Sequence, residues 1–407
     1  MDPVLNPFNP GAGTRPPQLA GREKLLERAS TALKRLRAGR DARGQLLLGL
    51  RGVGKTVLLG AIGRMARDEE LLPVPVEIPE GQRLAQSLAP ALRRALYELS
   101  RLAHARQVAL TALSVLQRFA AALKVNLATG ELGVDPESVR GIADSGDLES
   151  DLAALCVQVG QAAQAAERPV VLLVDELQYL DEEDLRSLIV AMHRVTQEGL
   201  PLVLFGAGLP QLAALAGAAK SYAERLFEYP PVGALDRAGA REAIALPVQK
   251  APAEITEEAL EAIVARTEGY PYFLQEWGKH TWDVAAASPL QLADVEAASG
   301  PTLQDLDDGF FRVRFDRLTP GEKDYLRAMA SLGDGPHRSG SIAARLGVKV
   351  TAVAALRATL IAKGMIYSPQ HGDTAFTVPM FAAFMQRVMP RGIAGRTAPG
   401  KRDRPST

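Results

Sequence analysis

Four short apolar runs, QLLLG (45–49), VPVEI (74–78), PVVLLVD (169–175) and PLVLFG (201–206), alternate with stretches of helical period up to about residue 228. Short apolar runs suit strands buried on both faces, and strands that alternate with helices form a parallel sheet covered by helices. From Asp236 to about Asp316 the strand signal stops and helical periods take over, as in EEALEAIVART and PYFLQEWGKHTW. Thr319 onward reads helix, helix, turn, helix, then GMIYSPQHGDTAFTV, whose QHGD is a turn signal between β-prone residues. The pattern predicts an α/β domain over 18–235, an all-helical domain over 236–317 and a third module over 318–391. Residues 1–17, rich in Pro, Gly and Asn, read as an extended or flexible arm, and 392–407 as a disordered, mildly basic tail.

One stretch does not fit a simple alternation. About ninety residues separate VPVEI from PVVLLVD, far more than one crossover helix needs. They hold a long helical segment from Leu84, an alternating KVNLATGELGV that reads as a hairpin, and a helix starting near SGDLESDLAAL. We place an insertion on the α/β domain at about 82–147; its purpose is not readable from the residues.

Composition narrows the class. The chain has 407 residues, 47% of them hydrophobic, enough for more than one core. No apolar run approaches the roughly 18 residues of a membrane span, so the cytoplasm is the expected location. The single cysteine, Cys156, lies in the apolar helical DLAALCVQVG and reads as a core residue. Formal net charge is zero, which excludes a global basic field for nucleic acid. Locally, Thr319–Arg391 carries nine Lys and Arg against four Asp and Glu, an excess of five.

The chemistry is concentrated in LLLGLRGVGKTVLLG (46–60), where Gly49, Gly54, Lys55 and Thr56 stand in GxxxxGKT spacing between an apolar strand and a helix. Glycines here let the backbone turn its N–H groups inward, so that Gly52, Val53, Gly54 and Lys55 donate to phosphate oxygens at a helix N-terminus. Lys55 would sit against the β and γ phosphates, and the Thr56 hydroxyl would ligate Mg²⁺. The strand PVVLLVD delivers Asp175 and Glu176 at its C-terminal end, where open parallel sheets bind ligands. Asp175 suits Mg²⁺ through a water, and Glu176 suits the general base that polarises an attacking water. ATP and Mg²⁺ are the implied cofactors.

DE after this strand, with room for an extra strand, resembles the additional-strand catalytic-glutamate P-loop ATPases. LAGREKLLERA just upstream resembles the hydrophobic-Gly-Arg-Glu box of AAA+ and STAND ATPases of the replication-initiator and archaeal-ATPase type. That resemblance implies that Leu19, Ala20, Gly21 and Arg22 lie against adenine. TEGYPYFLQ looks like the GxP motif of the helical lid in STAND proteins, which implies Gly269, Tyr270 and Pro271 near the base. Where such ATPases carry a polar sensor after the fourth strand, this chain has Gly206, Ala207 and Gly208, so slow hydrolysis is expected. Gln178 and Gln211 are both open as substitutes. Arg225, in SYAERLFEYPP, occupies the place of an arginine that reaches the γ-phosphate, within the chain or from a neighbouring copy. The second alternative requires a nucleotide-dependent homo-oligomer.

In SGSIAARLGVKVTAVAALRATLIAKGMI, LG marks a turn between two amphipathic helices, the layout of a winged helix-turn-helix. The second helix, from about Thr351 to Lys363, would read DNA through Thr351, Arg357 and Lys363, with SPQHGDT as wing tip. Only Arg357 suits a bidentate guanine contact, because the helix is otherwise alanine-rich. The functional expectation is an ATP/ADP-dependent switch coupled to a module that binds double-stranded DNA. Its alternatives are a STAND-type signalling ATPase with a protein-docking module, and a motor or chaperone of brisk turnover.

Overall fold

A computed structural model describes residues 1–11, 13–14, 16–127, 139–333, 335–370 and 372–390. Its chain divides into two compact units, Met1–Ala298 and Ser299–Thr407. Among the described residues no helix is long and apolar enough to cross a membrane.

The first unit is built on a parallel sheet. After α1 (Glu23–Arg37), which buries Ala29, Ala32, Leu33 and Leu36 at helical spacing, come β1 (Gly44–Leu48), α2 (Lys55–Asp68) and β2 (Leu72–Glu77). The insertion follows as α3 (Leu84–Ser100) and α4 (Arg106–Ala122), and α5 (Leu148–Ala165) leads into β3 (Val170–Asp175). Then come α6 (Glu182–Gln197), β4 (Leu202–Gly208), α7 (Leu212–Ala219), α8 (Ala223–Leu226) and β5 (Phe227–Glu228). Strand order is β2-β3-β4-β1-β5, all pairs parallel, so β4 lies between β1 and β3. This is the additional-strand P-loop sheet expected from the sequence.

Burial explains the strand assignments. Every residue of β3 and β4 is buried, which is why both read as continuous apolar runs. β2 is the sheet edge and alternates buried with more exposed positions; it tolerates Pro73 and Pro75 because a proline's missing N–H costs nothing on an unpaired edge. Two-residue β5 carries no pattern of its own and was not among the predicted strands. The core on one side of the sheet joins β2 and β3 to α3, α4 and α5, with Phe119 and Cys156 fully buried in it. The insertion is therefore part of the domain's core, and the proposed hairpin at 124–134 falls mostly outside the described residues.

Helices α9 (Arg237–Lys250), α10 (Glu257–Thr267) and α11 (Pro271–Val284) belong to the same compact unit, and α12 (Leu292–Asp305) carries the chain across the division. The all-helical segment is as expected, but its predicted end at 317 is too late. A π-helical turn, Leu306–Phe311, and α13 (Arg312–Phe315) pack in the second unit, where Phe311 stacks 5.2 Å from Phe384. Phenylalanines at helical spacing looked like more of the preceding domain because periodicity does not say which core a face will join.

The arm is also corrected. Residues 1–8 of the expected arm are packed rather than flexible: Phe8 is 3% exposed, against α11 at Gly278, where a β-carbon would lie 2.7 Å from its ring. Trp282 Nε1 donates to Asp2 O at 2.9 Å, and Asn6 Nδ2 to Asp283 Oδ1 at 2.7 Å. Further along, Gly13 approaches the Thr56 methyl. A segment without period takes its order here from long-range contacts.

The second unit continues with α14 (Pro320–Ala330), β6 (His337–Arg338), α15 (Ser339–Leu346), α16 (Val350–Ala362), β7 (Ile366–Tyr367), β8 (Asp373–Phe376) and α17 (Phe381–Val388). Its strands pair antiparallel in the order β6-β8-β7. Thr319 and Glu322 form a reciprocal cap on α14. The predicted tail, 392–407, lies outside the described residues.

Because Phe8 is fully packed, Phe8→Ala should lower stability by about 3 kcal/mol. A urea-unfolding midpoint equal to that of the parent chain would show that the arm contributes no packing.

Candidate functional site

Parallel pairing brings the C-terminal ends of β1, β4 and β3 to one edge, and the turn after β1 crosses that edge. Gly52 and Gly54 have φ of 82° and 92°, values that side chains rarely adopt, and they let the loop fold back before α2 begins at Lys55. Gly49 is required for a different reason: a β-carbon there would sit 2.1 Å from the Val232 carbonyl oxygen. Helix geometry leaves the first-turn N–H groups of α2 without intrahelical partners, directed at the space over the loop.

Lys55 is 7% exposed, and its ammonium donates to the carbonyls of Gly49 at 3.0 Å and Leu50 at 2.8 Å. Burial pulls its pKa down to about 8, against the opposing charges of Glu176 and Asp175, while Arg51 pushes it further down. Thr56 Oγ1 donates to Asp175 Oδ2 at 2.6 Å, which joins the head of α2 to the end of β3. Burial raises the Asp175 pKa, the Thr56 hydrogen bond opposes this, and the neighbouring Glu176 charge raises it again. Two hard oxygen donors side by side at the mouth of a phosphate-binding loop fit a divalent cation, which would relieve that destabilised carboxylate.

Glu176 has φ 57°, in the left-handed region, and leads into a one-turn 3₁₀ helix, Leu177–Tyr179. Its carboxylate accepts from the Gln178 side-chain amide, whose oxygen accepts from the Leu209 N–H at 3.1 Å. Gln211 does not join this network; its Oε1 is buried with no partner among the described residues.

The upstream box and the turn before α11 come to the same loop. Arg22, 8% exposed, donates to Val53 O at 3.1 Å and to Gly233 O, so its guanidinium braces the underside of the phosphate loop. Burial lowers its pKa, and Glu23 and Asp236 oppose the shift. Leu19 is half-buried and Ala20 buried beside it, while Gly21 approaches Leu235 and Gly239. Tyr270, buried ahead of Pro271 at the start of α11, faces Gly52 closely enough that a β-carbon there would meet its ring at 3.0 Å. Gly269 approaches the Leu235 carbonyl in the same way.

Arg225 is not brought to this cluster. It lies in α8 just before Phe227, which pairs with Gly44, the first residue of β1. It lines a cleft of about 1230 Å³ with Lys24, Arg28, Arg43 and Leu202 at the N-terminal edge of the sheet. The length of β1, about 16 Å to Gly49 at some 3.3 Å per residue, separates it from the phosphate loop. Within this chain Arg225 thus stands at the opposite edge of the sheet from the phosphate loop.

The predicted DNA-reading residues are also not all available. Arg357 donates through Nε to Thr374 Oγ1 at 3.0 Å and through one terminal nitrogen to Ser368 Oγ at 2.9 Å and Asp373 O at 3.1 Å. Lys363 donates to Glu322 Oε2 at 2.8 Å. Both charges stitch α16 to its own module, because the hairpin and the α14 cap supply acceptors that the helix's own sequence does not reveal. Thr351 is exposed. Two residues at the phosphate site were missed: Arg51 donates to the Tyr179 hydroxyl at 2.7 Å across the mouth of the loop. An arginine inside GLRGVGKT was the available signal.

In nucleotide-free protein the buried ammonium of Lys55 opposes folding until it deprotonates. The unfolded chain binds more protons between about pH 8 and 10.5, so stability rises with pH through that window. The unfolding free energy of the parent minus that of Lys55→Met should rise by up to about 3 kcal/mol between pH 7.5 and 10. A flat difference in urea titrations would show that Lys55 is not held in this environment.

Residues 18–205 match the AAA ATPase domain family, and residues 308–385 match DUF8462, a domain of unknown function. No curated protein matches the chain. Among solved structures, the Walker-type ATPase of Pyrococcus abyssi superposes with TM-score 0.58 at 18% identity, covering 94% of this chain and 99% of that one. The Thermotoga maritima RuvB Holliday junction branch migration motor gives TM-score 0.44 at 16% identity, with 89% and 96% covered. The Aeropyrum pernix Orc1 protein in complex with DNA gives 0.44 at 16%, with 91% and 93% covered. The first of these is a likeness of fold, and the other two are too distant to bear on this chain. With the sheet order, the Lys55–Thr56–Asp175 cluster and the family match in agreement, the chain carries a P-loop ATPase domain of the AAA type.

Proposed function

We propose that this chain is a nucleotide-dependent switch that binds Mg²⁺ and ATP at the phosphate loop, hydrolyses ATP slowly, and through the bound nucleotide controls what its C-terminal unit engages. The observation that carries the reading is the convergence of Lys55, Thr56, Asp175 and Glu176 at one end of the sheet, with the Thr56–Asp175 hydrogen bond at 2.6 Å. Lys55 and the first-turn N–H groups of α2 bind the β and γ phosphates. Thr56 and Asp175 would hold Mg²⁺, which neutralises phosphate charge when bound. Glu176 takes a proton from the attacking water. Leu19 to Arg22 and Gly269 to Pro271 flank the loop, and in this reading they enclose the base. Arg225 acts on the nucleotide of a neighbouring copy, so assembly follows ATP binding.

The C-terminal unit has the element order of a winged helix-turn-helix and a local excess of basic residues, and we take double-stranded DNA as its partner. With Arg357 and Lys363 engaged internally, contact runs to phosphates rather than base edges, and Lys349 heads the helix that would approach the groove. To pass from mostly off to mostly on, ATP must favour one state by roughly 10⁴-fold. One observation favours a second reading, a STAND-type signalling ATPase whose module docks protein: the exposed positions of α16 include Val350, Ala352, Ala354, Ala355 and Ala358, small apolar groups that can make no hydrogen bond to a base edge.

Anisotropy of a labelled duplex, titrated in ATP, in ADP and without nucleotide, separates the two readings. The DNA reading expects nucleotide-dependent binding that weakens with salt; no binding in any state would leave the docking reading. Lys55→Ala should abolish ATP binding by calorimetry, and Glu176→Gln should keep binding while lowering turnover roughly 10²-fold. Unchanged affinity or unchanged rate would remove the corresponding assignment.

A further inference from the structure

β4 ends without a polar side chain: Leu202–Gly208 is apolar or glycine throughout. The polar group at its C-terminal end comes instead from the turn after β3. Gln178 Oε1 accepts from the Leu209 N–H at 3.1 Å, and its amide nitrogen donates to Glu176 Oε2. The two glycines of β4 make this possible. A β-carbon at Gly206 would lie 2.3 Å from Leu177 Cδ1, and one at Gly208 would lie 3.2 Å from Gln178 Oε1. A side chain at Gly206 would displace the turn at Leu177, and one at Gly208 would meet Leu212 Cδ2 at 2.8 Å and crowd the Gln178 amide.

The network also fixes which way the amide faces. A peptide N–H points at one end of Gln178 and a carboxylate oxygen at the other. Exchanging oxygen and nitrogen would set donor against donor and acceptor against acceptor, so only one orientation is satisfied. In that orientation Gln178 presents its N–H to Glu176 and binds one carboxylate oxygen, Oε2. Oε1 makes no hydrogen bond to protein among the described residues and is left for a water.

We propose that Gln178 is the positioning residue of the hydrolytic step: it ties the Glu176 carboxylate to the end of β4 and so supplies from the turn after β3 the polar group that β4 lacks. The inference rests on the ATPase reading above. It assigns Gln178 no contact with nucleotide. Any shift of the β4 end at Leu209 is passed to Glu176 through one amide, so the position of the base follows the state of the loop.

Single-turnover hydrolysis with the full chain tests this, with ATP affinity measured alongside by calorimetry. Gln178→Ala should lower the rate about 10- to 100-fold, the size of effect expected for a misplaced general base, with ATP affinity within about twofold. In a Glu176→Gln background, Gln178→Ala should cause no further loss, because it acts through the group already removed. If Gln178→Ala does not fold, Gly208→Ala, which crowds the amide while keeping Gln178, should give the same rate loss and the same lack of effect on Glu176→Gln. An unchanged rate in a folded variant, while Glu176→Gln is slow, would overturn the role of Gln178 alone. An equal further loss in the Glu176→Gln background would mean a general structural effect and would also overturn it. A Glu176→Gln rate equal to that of the parent would instead remove the hydrolytic reading, and this inference with it.

Discussion

The interaction on which the nucleotide site rests is the hydrogen bond from the Thr56 hydroxyl to the Asp175 carboxylate. It forms only if α2 starts over β4, because β1 and β3 are separated by that strand, about 10 Å apart at the usual spacing. The phosphate loop must therefore turn tightly after β1, which is what Gly52 and Gly54 permit, and must be held down once it has turned. Arg22 does the holding, with its buried guanidinium under Val53 O and against Gly233 O. A buried arginine satisfied by carbonyls is costly to leave unpaired, so the box, the loop and the segment after β5 are fixed as one body.

Close backbone approach is the recurring device in the rest of the first unit. Gly49 meets Val232, Gly269 meets Leu235 and Gly278 receives Phe8, each at a distance that a side chain would not allow, and Gly21 packs tightly against Gly239. These contacts draw the sheet, α9, α11 and the N-terminal segment around one loop. A nucleotide bound there would touch elements remote from each other in sequence, which is what a switch requires if its two nucleotide states are to differ in more than one loop.

What the sequence revealed follows from how local each signal is. GLRGVGKT and VVLLVDE were legible because spacing within a few residues carries their chemistry, and continuous apolar runs marked β3 and β4 because both faces of each are buried. β5 was illegible at two residues, and with it the place of Arg225, which depends on the end of β1 that β5 pairs with. The docking of Phe8 on Gly278 joins positions nearly the whole first unit apart, and no local pattern announces it. Arg357 and Lys363 looked free because their acceptors, Asp373 O and Glu322, lie on other elements of the module. Gln178 and Gln211 were equivalent by composition; the Leu209 N–H and the Glu176 carboxylate, both bonded to Gln178 and neither to Gln211, distinguish them.

The central claim is that the upstream box, the phosphate loop and the turn before α11 form one nucleotide site, and amide hydrogen exchange with and without Mg²⁺ and ATP tests it most directly. The account predicts slowed exchange in three separate segments together, 19–22, 49–56 and 269–272, in the parent chain and in none of them in Lys55→Ala. Protection confined to 49–56, or absent throughout, would contradict it.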